Sequence, residues 1–266
     1  MCTSRRGGST SGRLDTFDAV VIDEGQDLLT ESKLHVINGL LEGGLANGVW
    51  RAFWDQNQAL FAPGAEGNPR LLSDMGAAPT TFALTVNCRN TRPIADRTQV
   101  LSDIPGDEVA FVDGPPVVDR HWDGEKTQIK RLRTIVLSWM KDGVPADTMV
   151  ILSPRRFERS VASRDLRLPV EVRDYSGQLF SPSPNELAFS TISSFKGLEA
   201  DAALLVDVDD LTSAHHRALL YVGASRARAL LAVLCSQETT EMFATRVAQS
   251  AVRGPGEAEG SLATVL

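Results

Sequence analysis

The sequence has few of the residues that build disulfide frameworks, metal centres or membrane spans. Its three cysteines lie far apart without CxxC spacing, and its four histidines follow no metal-ligand pattern, which argues against a disulfide scaffold and a zinc site. No apolar run approaches the roughly 18 residues that span a bilayer, and the first residues contain no apolar segment of a signal peptide. We therefore expect a cytoplasmic protein without a membrane partner.

Positive charge is also scarce, because the formal net charge of the 266 residues is −7 at pH 7. A negative protein is poorly suited to hold nucleic acid by bulk electrostatics, although a local basic strip can still bind phosphates. One such strip contains Arg155, Arg156, Arg159, Arg164 and Arg167. It is diluted by Glu158 and Asp165, and the alternative interpretation is an ordinary solvated surface.

The remaining composition is that of a globular protein, with 42% hydrophobic and 23% charged residues. Strand-like apolar runs alternate with segments of helical periodicity, which predicts an α/β fold with a mainly parallel sheet. Residues 1–16 contain few apolar side chains, and the end of the chain is rich in Gly, Pro and Glu from Gly254 to Gly260, so we expect residues 1–16 and 250–266 to be disordered. The chain between them divides into a first domain at 17–83 and a second at 84–249.

Local patterns predict most of the elements of this fold. Apolar residues at helical spacing predict helices over residues 31–41, 125–141, 213–224 and 238–248. Short apolar runs predict strands at 49–54, 84–86, 149–152, 170–172, 187–191, 202–206 and 230–234. Gly43 and Gly44 are expected to end the first helix, and Thr91 with Pro93 is expected to begin another.

The stretch from Phe17 to Leu28 contains the clearest candidate for chemistry. Four apolar residues, 19–22, predict a buried strand that leads directly into Asp23 and Glu24, and open α/β sheets place their ligand chemistry at this end of a strand. Two adjacent carboxylates suit a Mg-nucleotide site, where one holds the metal and the other takes a proton from water. Alternatively, Asp23 and Asp27 only begin a helix.

Five segments follow one another in a fixed order: VVIDEGQDL at 20–28, FWDQNQALF at 53–61, LTVNCRNTRPIAD at 84–96, STISSFKGLEADAALLVDVD at 190–209 and ALLYVGASRARALLAVL at 218–234. Together they resemble motifs II to VI of the UvrD/Rep-type superfamily 1 DNA helicases, and in spelling the compact UvrD-like ATPases most of all. The resemblance implies a RecA-like P-loop NTPase fold, with an incomplete first, ATP-binding lobe at 17–83 and a second RecA-like lobe at 84–249.

The resemblance also implies roles for individual residues at an ATP and Mg²⁺ site. Asp23 matches the metal ligand and Glu24 the base that activates water, while Arg89 and Arg226 match the two arginines that reach the γ-phosphate. The other matching positions are Gln58 beside the γ-phosphate or the water, and Gly197, Glu199 and Tyr221 around the nucleotide. Taken singly, each has an ordinary alternative as an ion-paired arginine, a cap or a polar turn residue.

The function implied by the resemblance is movement along single-stranded DNA, driven by ATP hydrolysis between two lobes, with RNA left open. Phe61 matches a base-stacking position, and Ser193 and Ser194 match positions that touch the strand backbone. The two serines alternatively form a simple turn. Pro63 stands where relatives carry a second stacking aromatic, which weakens the expectation of stacking.

One motif of the family is missing from this sequence. No GxxxxGK[ST] phosphate loop occurs, because no lysine follows a glycine anywhere in the chain. Without the backbone N–H groups and the lysine of that loop, we expect the isolated chain to hydrolyse ATP poorly. The implied partners are single-stranded DNA and a missing N-terminal ATPase lobe or nuclease-related domain. The alternative is a noncatalytic remnant that binds nucleic acid or protein.

Overall fold

The structure, a computed structural model, describes residues 16–55, 70–84, 86–103, 112–252 and 263–265. This part of the chain divides into two compact units, with the division between Thr85 and Val86 and with residues 263–265 in the first unit. Over the described ranges, no helix combines the length and the apolar character needed to cross a membrane.

The strands are β1 Ala19–Ile22, β2 Val49–Trp54, β3 Phe82–Leu84, β4 Val118–Trp122, β5 Met149–Ser153, β6 Glu171–Asp174, β7 Glu186–Thr191, β8 Ala200–Val208, β9 Ala227–Ser236 and β10 Ala263–Val265. The α-helices are α1 Gly25–Leu28, α2 Glu31–Leu40, α3 Gly44–Asn47, α4 Arg70–Asp74, α5 Arg92–Ser102, α6 Glu125–Lys141, α7 Ala214–Ser225 and α8 Thr240–Val252. Short 3₁₀ turns precede or follow several strands of the second unit.

The first unit is a four-stranded sheet in the order β1-β2-β10-β3. β1 and β2 are parallel, whereas β10 is antiparallel to both of its neighbours. β2 alternates exposed and buried residues, as a strand with one covered face must, and its buried Trp50 and Trp54 pack with Leu29, Leu34 and Leu72. Burial of each such apolar side chain contributes about 1.5–3 kcal/mol, so this cluster holds the helices against the sheet.

The second unit contains a six-stranded sheet in which every neighbouring pair is parallel, in the order β4-β9-β8-β5-β7-β6. All five residues of β5 are buried, and β8 exposes only Asp201, which is typical of central strands with both faces covered. α6 buries Leu132, Val136 and Trp139 against this sheet. The predicted α/β fold with a mainly parallel sheet is therefore confirmed.

Local sequence explains where the helices that carry the candidate site begin. Thr91 occupies the N-cap position of α5, and Pro93 lies in its first turn, where the missing N–H of proline costs no hydrogen bond. Ser213 caps α7, and its hydroxyl accepts a hydrogen bond from the backbone N–H of His216. Gly223 lets α7 approach β8 closely, because a Cβ atom there would lie 2.8 Å from Leu205 Cδ2.

The structure differs from the local predictions at three places. α2 ends at Leu40 with an extended Leu41 as its cap, whereas Gly43 and Gly44 adopt positive φ values at the start of α3. β4 was missed because its sequence, Val-Asp-Arg-His-Trp, has no apolar run and its parallel pairing with β9 is a tertiary contact. In the predicted disordered tail, α8 continues to Val252, and residues 263–265 form β10, which pairs with β2 and β3.

Candidate functional site

The segment before α5 forms a turn that is organised by the side chain of Asn87. Its Oδ1 atom accepts hydrogen bonds from the backbone N–H groups of Arg89, at 3.0 Å, and Asn90, at 3.1 Å. Asparagine favours such turns because its short side chain mimics a backbone carbonyl. The turn leaves the side chain of Arg89 42% exposed, while the side chain of Asn90 points inward and is buried.

Asn90 connects this turn to the junction between α7 and β9. Its Nδ2 atom donates to the carbonyl oxygens of Ser225, at 3.0 Å, and Ala227, at 2.7 Å, which are the residues on either side of Arg226. Its Oδ1 atom accepts from Asn87 Nδ2 at 3.0 Å, so both polar atoms of the buried amide have partners. Sequence reasoning missed Asn90, because an asparagine beside an arginine carries no local sign of partners this distant.

The KGLE segment completes the same cluster. Glu199 Oε1 lies 2.5 Å from Arg89 Nε, and the next residue, Ala200, donates its backbone N–H to the carbonyl oxygen of Arg226 at 3.1 Å. The structure therefore brings together three segments that are far apart in the chain: the turn at 87–90, the residues before β8 and the end of α7. We call Arg89, Asn90, Glu199 and Arg226 the arginine cluster.

The two arginines of this cluster differ in exposure. Arg226 is 2% exposed, and its guanidinium donates to Val222 O and Ser225 Oγ, each at 3.2 Å. A cation at the carboxyl end of α7 is electrostatically favourable, because carbonyl oxygens there lack helical partners. In this conformation, Arg89 is the arginine whose charged group reaches solvent, and a phosphate contact by Arg226 requires its guanidinium to become exposed.

Two further predicted nucleotide residues lie in the second unit. Gly197 has a φ of +81°, a left-handed conformation that favours glycine, and no heavy atom lies within 4 Å of the position of a Cβ atom. Open space before an exposed glycine backbone is compatible with close approach of a ligand. Tyr221 is half-buried on α7, one helical turn before the end that carries Ser225.

Ser193 and Ser194, the predicted backbone contacts, follow β7 in a turn. The backbone N–H of Ser194 donates to Thr191 Oγ1 at 3.2 Å, and the Thr191 hydroxyl donates to Ser194 Oγ at 2.9 Å. These bonds are those of a threonine-stabilised turn, which is the ordinary interpretation of the two serines. Ser194 is nevertheless exposed, while Ser193 is half-buried.

The acidic pair of the first unit lies at the carboxyl end of β1. Asp23 is exposed, and its Oδ1 atom accepts from the backbone N–H of Glu24 at 2.9 Å. Glu24 is the N-cap of α1 and has a φ of 53°, an uncommon conformation for a residue with a side chain. The next residue is Gly25. A side chain at this position would be crowded, because its Cβ atom would lie 3.1 Å from the carbonyl oxygen of Phe53 in β2.

Gln26 is a second residue that sequence reasoning missed. It is 4% exposed, its Nε2 atom donates to Glu24 Oε2, and its Oε1 atom accepts from the backbone N–H of Asp55 at 3.1 Å. The side chain therefore ties the acidic loop after β1 to the end of β2. In the sequence Gln26 is visible only as the glutamine of DEGQD, and its burial in α1 was not predicted.

The donor set of Asp23 fits a magnesium ion that arrives with a nucleotide. Mg²⁺ prefers oxygen ligands and is commonly held by one or two carboxylates, with phosphates and water completing its shell. Asp23 offers such a carboxylate, whereas within the described ranges no group of three or more His, Cys, Asp and Glu side chains could hold a metal alone. Gln58 and Phe61 lie outside the described residues.

Part of the second unit is similar to a known helicase domain. The family model of the UvrD-like helicase C-terminal domain matches residues 186–234, a stretch that contains Glu199, Tyr221 and Arg226. A solved structure, the C-terminal domain of a possible DNA helicase from Lactobacillus plantarum WCFS1, is 19% identical over 56% of this chain and 86% of that chain. The TM-score between the two structures is 0.41. No curated protein matches the chain significantly. Residues 186–234, which lie in the second unit, are thus similar to the C-terminal domain of UvrD-like helicases.

Proposed function

We propose that this chain is the C-terminal part of a UvrD-like ATP-dependent DNA helicase or translocase, in which ATP hydrolysis drives movement along single-stranded DNA in the cytoplasm. The observation that carries the proposal is the arginine cluster. Asn90 binds the carbonyl groups on both sides of Arg226, and Arg89 pairs with Glu199, so three of the resembling motifs meet at one place.

The chemistry of the cluster suits a nucleoside triphosphate. The guanidinium of Arg89 offers planar, paired donors to phosphate oxygens. The carboxylate of Glu199 can accept hydrogen bonds from ribose hydroxyls. The exposed backbone at Gly197 adds room for close approach of the ligand.

In the same proposal, the first unit provides the carboxylate that binds the metal and the carboxylate that acts as the base. Asp23 would hold Mg²⁺, which neutralises phosphate charge when it is bound with ATP. Glu24 would accept the proton of the attacking water, and Gln26 would hold Glu24 in position through its bonds to Glu24 and to the backbone of Asp55. Gln58 is proposed to act beside the γ-phosphate. Phe61, Ser193 and Ser194 are proposed to contact the single-stranded DNA.

The isolated chain is proposed to be inactive in ATP hydrolysis, since it carries no phosphate loop of its own. Activity would need an N-terminal ATPase segment with a GxxxxGK[ST] loop as partner. Single-stranded DNA is the proposed track. Lobe closure on ATP and reopening after hydrolysis would supply the movement, because the two nucleotide states are bound by different contacts.

The test joins the chain to a family-type N-terminal segment that carries the loop and measures phosphate release with and without single-stranded DNA. Glu24→Gln should lower DNA-stimulated phosphate release by roughly 10²-fold or more, while ATP still binds. Glu42→Gln, which neutralises an exposed carboxylate elsewhere in the same unit, is the matched control and should retain activity. Turnover retained by Glu24→Gln would refute the assigned base.

A noncatalytic remnant is the second candidate function, and the burial of Arg226 is the observation that favours it. A guanidinium committed to Val222 and Ser225 is not available to a phosphate. If the joined protein binds single-stranded DNA but releases phosphate at the background rate, the remnant is supported. DNA-stimulated turnover that falls when Arg226 is changed to Gln supports the ATPase.

A further inference from the structure

The arginine strip at 155–167 is not explained by the proposed nucleotide site. Three of its members are neutralised: Arg155 pairs with Asp209, Arg164 with Glu125 and Arg167 with Asp165. The other two, Arg156 and Arg159, are exposed, and among the described residues their side chains take part in no hydrogen bond or ion pair. The positive charge that remains available is thus concentrated on these two side chains.

Arg156 and Arg159 belong to one tight turn. A 3₁₀ turn spans Phe157–Arg159, and the backbone N–H of Arg159 donates to the carbonyl oxygen of Arg156 at 3.0 Å. Arg156 is the extended residue directly before the turn, and Arg159 is the last residue of the turn, so one hydrogen-bonded segment carries both arginines. The nearest opposite charge within the turn is the exposed Glu158, for which no ion pair is found in the described part of the chain.

The turn is anchored to the sheet from inside. The ring of Phe157 packs on the buried Phe189 of β7, with centroids 5.0 Å apart. Ser160, which ends the turn and is fully buried, donates its hydroxyl to Asp207 Oδ2 at 2.6 Å and accepts from the backbone N–H of Ala162 at 3.2 Å. The arginines are therefore held on a rigid base rather than on a freely moving loop.

Asp207 is the centre of this anchor. Besides Ser160, its carboxylate accepts from the hydroxyl of Ser153, at 2.7 Å, and from the backbone N–H of Val161, at 3.2 Å. Ser153 Oγ in turn accepts from the backbone N–H of Arg155 at 3.0 Å, so one carboxylate fixes both ends of the segment that carries Arg156 and Arg159.

This arrangement is costly for the fold. Asp207 is 1% exposed and has a φ of 57°, at an irregularity in the pairing of β8 with β9. A buried carboxylate without a cation must be compensated by hydrogen-bond donors, and a left-handed conformation at a residue with a side chain stores strain. Such combinations are concentrated where a precise local geometry is needed.

We infer that Asp207 is a positioning residue for an anion-binding turn in which Arg156 and Arg159 contact phosphates of a single-stranded nucleic acid. Guanidinium groups bind phosphodiester oxygens without reading the bases, which suits a strand that moves past the protein. The inference rests on the proposed function only for the identity of the polymer. It assigns a role to Asp207 that the nucleotide site does not require.

The first experiment measures the affinity of the chain for a fluorescent oligothymidylate by anisotropy over a series of KCl concentrations. Arg156→Gln/Arg159→Gln should lower the slope of log affinity against log salt by about 1.4, from two phosphates at roughly 0.7 each. Arg164→Gln/Arg167→Gln removes the same charge from paired arginines and should change the slope much less. Equal changes in the two double variants would overturn the inference.

The second experiment separates positioning from charge. Asp207→Asn makes the protein more positive, so electrostatics alone predicts tighter binding of the oligonucleotide. If Asp207 positions the turn, the variant should instead bind roughly tenfold more weakly, because the two phosphate contacts are lost. Asparagine tolerates the left-handed conformation, so the backbone should be retained. Far-ultraviolet circular dichroism checks the fold of the variant.

Ser160→Ala is the companion variant, since it removes one anchor and leaves the charge unchanged. It carries the test if Asp207→Asn does not fold. A folded variant of either kind that binds as tightly as the wild-type chain overturns the role of Asp207, and a wild-type chain that fails to bind at low salt overturns the site. Because no nucleotide is present, neither result depends on the ATPase test of the joined protein.

Discussion

Arg89 Nε lies 2.5 Å from Glu199 Oε1, and these two side chains remain 42% and 39% exposed. In the proposed site, one contacts the terminal phosphate of the nucleotide and the other its ribose, groups that are separated by the rest of the triphosphate. Binding of the nucleotide would therefore compete with this ion pair. Since an exposed ion pair contributes only about 0–1 kcal/mol, ligand binding can break it at small cost.

The first prediction concerns this ion pair. A double-mutant cycle with Arg89→Gln and Glu199→Gln should give a coupling free energy of unfolding of at most about 1 kcal/mol, because water screens both charges. Urea denaturation measures it. The exposed pair Arg228 and Asp201, at 3.4 Å, serves as the control cycle. A coupling above about 3 kcal/mol would mean that the pair is a structural element and not an exchangeable contact.

The second prediction concerns Asn90. Asn90→Ala should lower the free energy of unfolding by about 1–3 kcal/mol, because two buried carbonyl groups lose their donor. Asn185→Ala, at an exposed position of the same unit, should change it by less than about 0.5 kcal/mol. Urea denaturation of both variants makes the comparison, and equal effects would show that the Asn90 contacts contribute little.

A third prediction uses the close approach of α7 to β8. In Gly223→Ala, the added methyl group meets Leu205 Cδ2 at 2.8 Å and Ile192 at 3.2 Å, so overpacking should cost about 1–3 kcal/mol. In Gly39→Ala, on the exposed side of α2, nothing lies within 4 Å, and the gain in helix propensity should stabilise by about 0.5–1 kcal/mol. Thermal unfolding should therefore shift in opposite directions, and a neutral Gly223→Ala would contradict the packing.

The fourth prediction concerns acid. The backbone N–H of Ser183, the hydroxyl of Tyr175 and the guanidinium of Arg173 lower the pKa of Glu186 from its ordinary 4.5 to about 2. Because the folded-state pKa is depressed, the contribution of Glu186 to stability is complete above pH 4.5 and is lost as the pH falls from there towards 2.

Glu186→Gln removes this titration, so its free energy of unfolding should depend less on pH between 4.5 and 2 than that of the wild-type chain. Urea unfolding at a series of pH values measures the difference. Glu238→Gln, at an exposed position, should leave the pH dependence as it is in the wild-type chain. A variant at position 186 with the wild-type pH dependence would show that another carboxylate dominates in this range.

Much of the fold was predictable because its signals are local. The helix predicted over residues 125–141 is α6, since its apolar residues repeat with the helical period, and the strand predicted at 49–54 is β2. β4 was not predictable, because its polar residues suit a strand at the edge of the sheet. That edge forms only when β4 pairs with β9. The end of α2 was misjudged, because Gly43 and Gly44 serve the next helix instead.

The candidate site divides in the same way. Arg89, Glu199 and Arg226 were chosen from motif spelling, and the structure brings them together in one unit, but Asn90 and the exposure of each arginine were not foreseen. Asp23 and Glu24 lie at the end of β1, as the apolar run before them predicted, but the prediction that this strand is buried was wrong. Ala19 and Val21 are exposed, and only Ile22 is buried. Their stabilisation by Gln26 depends on a contact with Asp55 in another part of the unit.

The sequence by itself determined the kinds of side chains, their order and the alternation of strands and helices, because these depend on neighbours a few residues away. Only the tertiary structure decided that Asn90 bonds to residues 135 and 137 positions further along the chain, that Arg226 is buried while Arg89 is exposed, and that Asp207 anchors a turn. Hydrogen bonds and burial of this kind join distant segments, and distant partners leave no period or spacing that a linear sequence can display.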